Sequence, residues 1–151
     1  MTLAERFWAK VDTSGECWVW TASVDRNGYG KIGAGGDRGR TLCAHRVAWE
    51  LAHGDIPDGY EIDHQCRNRK CVRADHLRLV TRKQNNEHRD AIGSLPRGVR
   101  LHHTGKYQAR CKHNGKEVNG GMFATAEAAG ITAMELRNRL FTHNDLDRIA
   151  V

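Results

Sequence analysis

Apolar positions in this chain come in short bursts, and their spacing switches between helical and alternating. Leu3, Phe7, Trp8 and Val11 recur at helical intervals and predict an amphipathic helix over residues 3–11 with those side chains inward. Residues 12–16 read as a turn. CWVWT at 17–21 reads as a strand, with Trp18 and Trp20 in the core. DRNGYG at 25–30 carries an Asn-Gly hairpin signal, so residues 31–36 form the return strand with a glycine-rich tip, and residues 39–42 resume the sheet. CAHRVAWELAH at 43–53 is helical, with Val47, Ala48 and Leu51 inward, and GDIPDG at 54–59 is a turn. Residues 60–64, with Ile62 as the apolar member, and Leu77, Leu79 and Val80 mark two short strands around a long polar loop. Thr81 suits the N-cap of a polar helix over residues 82–89, where His88 is expected to be solvated.

Beyond residue 92 the pattern changes. Gly93 and Pro96 mark a linker at 93–96. Residues 98–101, 106–112 and 117–123 read as three strands joined by turns at Thr104-Gly105 and Asn114-Gly115. Thr125 caps a helix over 126–141, with Glu127 in its first turn. Ala128, Ala129, Ile131, Leu136, Leu140 and Phe141 supply its apolar face, and Gly130 weakens it locally. Residues 144–151 are left as a tail. The expected fold is α+β: one unit over 1–92, and a second over 97–143 made of a small three-stranded antiparallel sheet packed on one helix.

Composition narrows the class. A chain of 151 residues with 39% hydrophobic content suits small units that need help to fold. A net charge of +6 and a pI near 9.3 point to a polyanionic partner. Residues 66–89 hold eight Lys/Arg against two acids, and residues 97–112 hold five against none. Five cysteines, an odd number, argue against a complete disulfide framework and for reduced thiols. No apolar run approaches membrane-span length and no signal-peptide pattern opens the chain, so a cytoplasmic location is expected.

The chemistry gathers in EIDHQCRNRKCVRADHLRLVTRKQNNEHR at 61–89. A neutral imidazole can take a proton from water near physiological pH, and a carboxylate and an amide oxygen are hard ligands suited to Mg²⁺. His64 ends the first strand of the hairpin and Asn85 lies one turn into the helix, so folding the helix back would bring them together. His64 as general base, with Asp63 and Asn85 holding one Mg²⁺, makes a one-metal phosphodiesterase. Between the strands, Cys66, Cys71 and His76 are spaced C-x4-C-x4-H, thiolate and imidazole ligands of the kind Zn²⁺ takes four at a time. The spacing leaves the fourth open between Cys17 and Cys43. A zinc ion would order a loop with little apolar area of its own.

The pattern D-H-x-C-x4-C-x4-H-L-x7-N, met by Asp63, His64, Cys66, Cys71, His76, Leu77 and Asn85, resembles the ββα-metal endonucleases of the HNH and His-Cys box type. The resemblance implies that His64 is the general base and that Asn85 holds the catalytic ion, Mg²⁺ or Mn²⁺. It also implies 5′-phosphate and 3′-hydroxyl products. Many HNH members have Asn where this chain has His76; the zinc-bearing branch has His, which assigns His76 to structural Zn²⁺. The N-terminal part is similar to small phage-type HNH proteins at residues 7–11, 17–21, 28–30 and 44–51, with Ala22 in place of a usual Gly. That match selects Cys17 as the fourth zinc ligand and leaves Cys43 as a small buried thiol. Lys31, Arg40 and Arg46 are candidate phosphate contacts.

In residues 106–112, Lys106, Gln108, Arg110 and Lys112 alternate with Tyr107, Ala109 and Cys111, which gives one basic face and one apolar face against the helix. Such a face can enter a DNA groove. The run RGVR, GKYQARCKH, NGKEVNGGMFATAEAA resembles the DNA-binding domain of plant Apetala and ethylene-response factors. The resemblance places DNA contacts on Arg97, Arg100, Lys106, Tyr107, Arg110 and Lys112. Tyr107 stands for the usual Trp and Cys111 for an aliphatic residue, and the helix lacks the usual AYD run. The expected protein is a DNA endonuclease of homing or phage-processing type acting on double-stranded DNA, with no membrane and no small-molecule partner. Monomer and homodimer stay open. The alternatives are a zinc-stabilised DNA-binding regulator that does not cleave, and a non-specific ββα-metal nuclease.

Overall fold

The computed structural model describes residues 1–36, 39–89 and 93–149. They form two compact units, Met1–Arg82 and Lys83–Val151. The expected end of the first unit at 92 falls outside the described residues.

In the first unit, helix α1 (Leu3–Trp8) opens on a capping box. Thr2 Oγ1 accepts from the Glu5 backbone N–H at 3.2 Å, and the Glu5 carboxylate accepts from the Thr2 N–H at 2.7 Å. The helix is shorter than its apolar spacing predicts because Val11 leaves it for strand β1 (Val11–Asp12), which pairs antiparallel with β2 (Val19–Trp20). Phe7 and Trp20 are fully buried and packed together, whereas Trp8, expected inward, is 44% exposed and meets Trp18 edge-on. Strand β3 (Lys31–Gly33) pairs with β4 (Thr41–Cys43), and helix α2 (Ala44–His53) follows directly. Gly30 lies where the chain passes over the Trp20 indole: a Cβ there would fall 2.6 Å from the ring and 2.9 Å from the Ala44 Cβ, so no larger residue fits. α2 buries Ala44, His45, Val47 and Ala48, while Leu51, expected on the inner face, is 44% exposed. One turn along the helix from Val47 and Ala48, Leu51 lies beyond the core that those two residues reach.

β5 (Tyr60–His64) and β6 (Leu77–Thr81) make the expected hairpin in a register that sets Ile62 opposite Leu79, Asp63 opposite Arg78 and His64 opposite Leu77. Thr81 ends the strand, and a 3₁₀ turn (Ala74–His76) closes the loop. The core of this unit joins Phe7, Trp20, Ile32, Ala44, Val47, Ala48, Ile62, Val72 and Leu77, drawn from nearly every element.

Helix α3 (Arg82–Glu87) follows β6 in the chain, shorter than the expected 82–89. In the second unit β7 (Val99–Leu101), β8 (Tyr107–His113) and β9 (Lys116–Phe123) form an antiparallel sheet, and α4 (Ala126–Leu140) is N-capped by Thr125, whose hydroxyl accepts from the Ala128 N–H. Ala109 packs with Ala129 and Ala133, and Cys111 with Leu136 and Phe141. Small residues bring α4 close to the sheet: a Cβ on Gly120 would lie 2.9 Å from Leu136 Cδ1 and 3.0 Å from the Ala109 Cβ. The expected tail contains a further helix, α5 (Asp145–Ile149), tied to α4 by an ion pair from Arg137 Nε to Asp147. His88, expected in solvent, is 6% exposed, with Nε2 3.7 Å from the Asp145 carboxylate.

Candidate active site and metal centre

The polar loop between β5 and β6 is stitched to β2 by backbone. The Trp20 N–H donates to the Lys70 carbonyl and the Val72 N–H to the Trp18 carbonyl, each at 2.8 Å. These bonds carry Cys17, just ahead of β2, to the loop cysteines. Cys17, Cys66, Cys71 and His76 bring their ligand atoms within 4.8 Å of one another. His76 Nδ1 lies 3.5 Å from Cys17 Sγ and 3.6 Å from Cys71 Sγ. A tetrahedral zinc ion with Zn–S of about 2.3 Å and Zn–N of about 2.0 Å spaces sulfur and nitrogen roughly 3.5 Å apart. The set therefore fits zinc in ligand type, number and spacing. Burial pushes the Cys66 thiol up, and the Cys71 thiol up to about 12. A divalent cation at the centre would reverse this and draw out thiolates. Cys43 lies elsewhere, with Lys31 Nζ 3.1 Å from its sulfur.

The loop also orients His64. Its Nε2 is 3.1 Å from the carbonyl oxygen of Cys71. A carbonyl only accepts, so Nε2 carries the hydrogen and the lone pair of the neutral ring is on Nδ1. His64 is 6% exposed, and burial holds it below its usual 6.5, against the Cys71 bond and the Asp63 charge, which both pull upward. The imidazole is thus neutral near pH 7 with one defined basic nitrogen.

Asp63, its chain neighbour, meets Arg78 across the hairpin: Arg78 Nε donates to Oδ2 at 2.9 Å, and Nη2 is 2.9 Å from the same oxygen. Asn85 lies on α3 in the second unit, half-buried. Of the expected phosphate contacts, Lys31 is paired with Asp25 at 3.2 Å, Arg40 is exposed and Arg46 half-buried.

Two neighbours of His64 were not expected. His45 on α2 is 8% exposed and its ring centre is 4.8 Å from that of His64. Tyr29 lies 5.4 Å from His45 and 5.9 Å from His64, with the Arg69 guanidinium 5.5 Å over its face. Burial drops His45 to about 3, helped by the charges of His64, Arg46 and Lys31. The signal that could have found His45 is its place three residues before the inward Ala48. Arg78 had none, because its partner is fixed only by the hairpin register.

In the second unit the apolar alternation of β8 is as expected, but Gln108 is buried on the other face and accepts from Arg100 Nε at 2.8 Å. Arg110 pairs with Glu117 at 2.7 Å. Arg97 turns inward, donating to the Glu87 carbonyl at 2.7 Å and to Asn144 Oδ1 at 3.3 Å. Tyr107 packs against the small alanine core, while Lys106 and Lys112 are exposed.

Comparison with known proteins bears on part of this chain. Residues 43–87, from Cys43 through α2, the hairpin and α3, match the family model described as HNH endonuclease. Protein 7.7 of Escherichia phage T7 is 33% identical over 86 residues, 57% of this chain and 64% of its own length. The uncharacterized gene 5.3 protein of Enterobacteria phage T3 is 38% identical over 64 residues, 40% of this chain and 63% of its own. Protein 2.8 of phage T7 is 28% identical over 102 residues, 67% of this chain and 69% of its own. The chain thus spans just under two thirds of the length of the first two. No solved structure matches it significantly. Among the described residues no helix is long and apolar enough to cross a membrane. The family match and the phage relatives support a phage HNH-type nuclease, and the Cys₃His cluster could bind zinc.

Proposed function

We propose that this chain is a DNA endonuclease that hydrolyses phosphodiester bonds in duplex DNA, with His64 as general base, in a homing or phage DNA-processing role. The observation that carries the reading is the Nε2 hydrogen bond of His64 to the Cys71 carbonyl, which leaves Nδ1 as the basic atom of a neutral imidazole. Nδ1 takes a proton from the attacking water as its oxygen bonds to phosphorus, the bond from phosphorus to the 3′-oxygen breaks, and that oxygen takes a proton from solvent water, leaving 5′-phosphate and 3′-hydroxyl ends. Zinc on Cys17, Cys66, Cys71 and His76 would fix the loop, and through the Cys71 carbonyl it would fix the tautomer of the base.

The donor types of Asp63 and Asn85, a carboxylate and an amide oxygen, suit a hard divalent ion, Mg²⁺ or Mn²⁺. Asp63 precedes the base on β5; Asn85 joins it on the strength of the motif spacing. That ion would supply positive charge to the phosphate oxygens as negative charge builds there. The three-stranded sheet of the second unit is the proposed duplex-binding module, through Lys106 and Lys112 first.

The test is incubation of supercoiled phage and bacterial DNA with the purified chain, with Mg²⁺ and with EDTA. Nicks or cuts that need Mg²⁺ and vanish in His64→Ala, with DNA affinity and zinc content retained, are the expected result. Tight binding without cutting would overturn the reading in favour of a DNA-binding regulator.

A further inference from the structure

Asp63 is engaged before any divalent ion reaches it. The β5–β6 register sets Arg78 directly opposite, and both Nε and Nη2 of its guanidinium lie 2.9 Å from the single oxygen Oδ2. The two side chains are 11% and 18% exposed, so water screens the pair poorly and it holds more firmly than an ion pair on the surface. A divalent ion placed on that same oxygen would sit within a few ångströms of the guanidinium charge, where repulsion in a half-dry site is strong. Guanidinium and metal ion therefore compete for Asp63.

A scissile phosphate changes the contest. Its oxygens match the guanidinium fork as well as a carboxylate does, and they bring negative charge to the same place. Lys31, a candidate phosphate contact on β3, is already shared between Asp25 and the Cys43 sulfur. We infer that Arg78 gates the metal site: it occupies Asp63 in the free chain and moves to the phosphate when DNA arrives, so that the divalent ion and the DNA bind cooperatively. This rests on the reading of Asp63 as a metal ligand. Its consequence is reciprocal, because DNA must tighten metal binding by the factor by which metal tightens DNA binding. A chain gated in this way holds little catalytic ion until a substrate is in place.

The test uses Mn²⁺ as the probe, titrated into the zinc-loaded full chain and followed by the electron paramagnetic resonance of free Mn²⁺. A His64→Ala background keeps a short random-sequence duplex uncut. Without DNA, Arg78→Gln should bind Mn²⁺ about tenfold more tightly than the parent, within the usual range of coupling between sites. Saturating duplex should tighten Mn²⁺ binding of the parent by a larger factor than that of Arg78→Gln. Equal or weaker Mn²⁺ binding by Arg78→Gln would overturn the gate, the weaker case meaning that the guanidinium orients Asp63 instead. Asp63→Asn separates the two claims. If it keeps the parent's Mn²⁺ affinity, the metal reading of Asp63 itself fails. If it loses Mn²⁺ while Arg78→Gln gains none, only the gate fails. Arg78→Thr, suited to a strand, replaces Arg78→Gln should zinc content or circular dichroism show that the latter is misfolded.

Discussion

His45 lies within a matched stretch of the sequence, yet nothing there points to its place beside His64. It is packed between Tyr29 and His64, and its Nδ1 is buried with no hydrogen-bond partner among the described residues. Burial is the first cause that keeps it neutral down to about pH 3 in the folded chain, against 6.5 as its ordinary value. The sign follows from linkage. Between those two values the unfolded chain binds a proton on His45 that the folded chain does not, so stability falls as pH drops through the window and is unaffected above it. The slope from this one group is at most about 1.4 kcal/mol per pH unit. His45→Phe, which keeps a ring but cannot titrate, should flatten the fall by up to that amount. Urea unfolding of parent and variant at pH values inside and above the window measures it, and parallel curves for the two chains would show that His45 does not govern acid stability.

At the scale of elements, the loop between β5 and β6 is long, polar and basic, and among the described residues Val72 and the buried Cys71 tie its middle to the interior. Backbone bonds to β2 hold it, and a zinc ion on the Cys₃His cluster would add a second tie. Cys17→Ser, Cys66→Ser and Cys71→Ser should each lose the bound zinc and lower the melting temperature of the first unit, and Cys43→Ser should keep both. Metal analysis together with thermal unfolding checks this, and zinc lost from Cys43→Ser with Cys17→Ser unaffected would reverse the assignment. The hairpin and the grouping of Cys66, Cys71 and His76 were legible in the sequence because each is local: alternation around Ile62, a fixed C-x4-C-x4-H interval, a His at a strand end. Cys17 came from the resemblance, since spacing alone left Cys43 equally open. The end of α1 was not legible, because Val11 fits a helical stripe as well as it fits the strand it joins. Nor was the Asp63–Arg78 pair, which exists only once the register is set. His88 read as solvated because nothing in its neighbourhood announces the helix α5 that brings Asp145 to it.

For the whole molecule the question is which of its many cations a polyanion meets. The net charge of +6 favours such contact, but several of the basic side chains already hold partners within the chain. Arg137 is 5% exposed and bound to Asp147, Arg97 holds the Glu87 carbonyl, Arg100 holds Gln108, and Arg110 is paired with Glu117. Substituting Arg137 or Arg97 would be felt as lost packing and orphaned partners before it was felt as lost affinity, whereas the Arg110–Glu117 pair lies at the surface, 40% and 45% exposed. Lys106 and Lys112 differ: both are exposed at the strand that alternates basic and apolar, and among the described residues neither makes an ion pair. If the sheet meets duplex DNA, each lysine neutralises a phosphate and releases counterions, which contributes to the salt dependence of binding whatever the base sequence. Lys106→Ala with Lys112→Ala should therefore weaken binding to all duplexes alike and reduce the slope of log affinity against log salt by about 1 per lysine. Melting temperature and zinc content should stay at the parent values, because neither side chain holds the fold. An unchanged slope would remove this face from the DNA interface and leave the basic loop of the first unit to make the phosphate contacts alone.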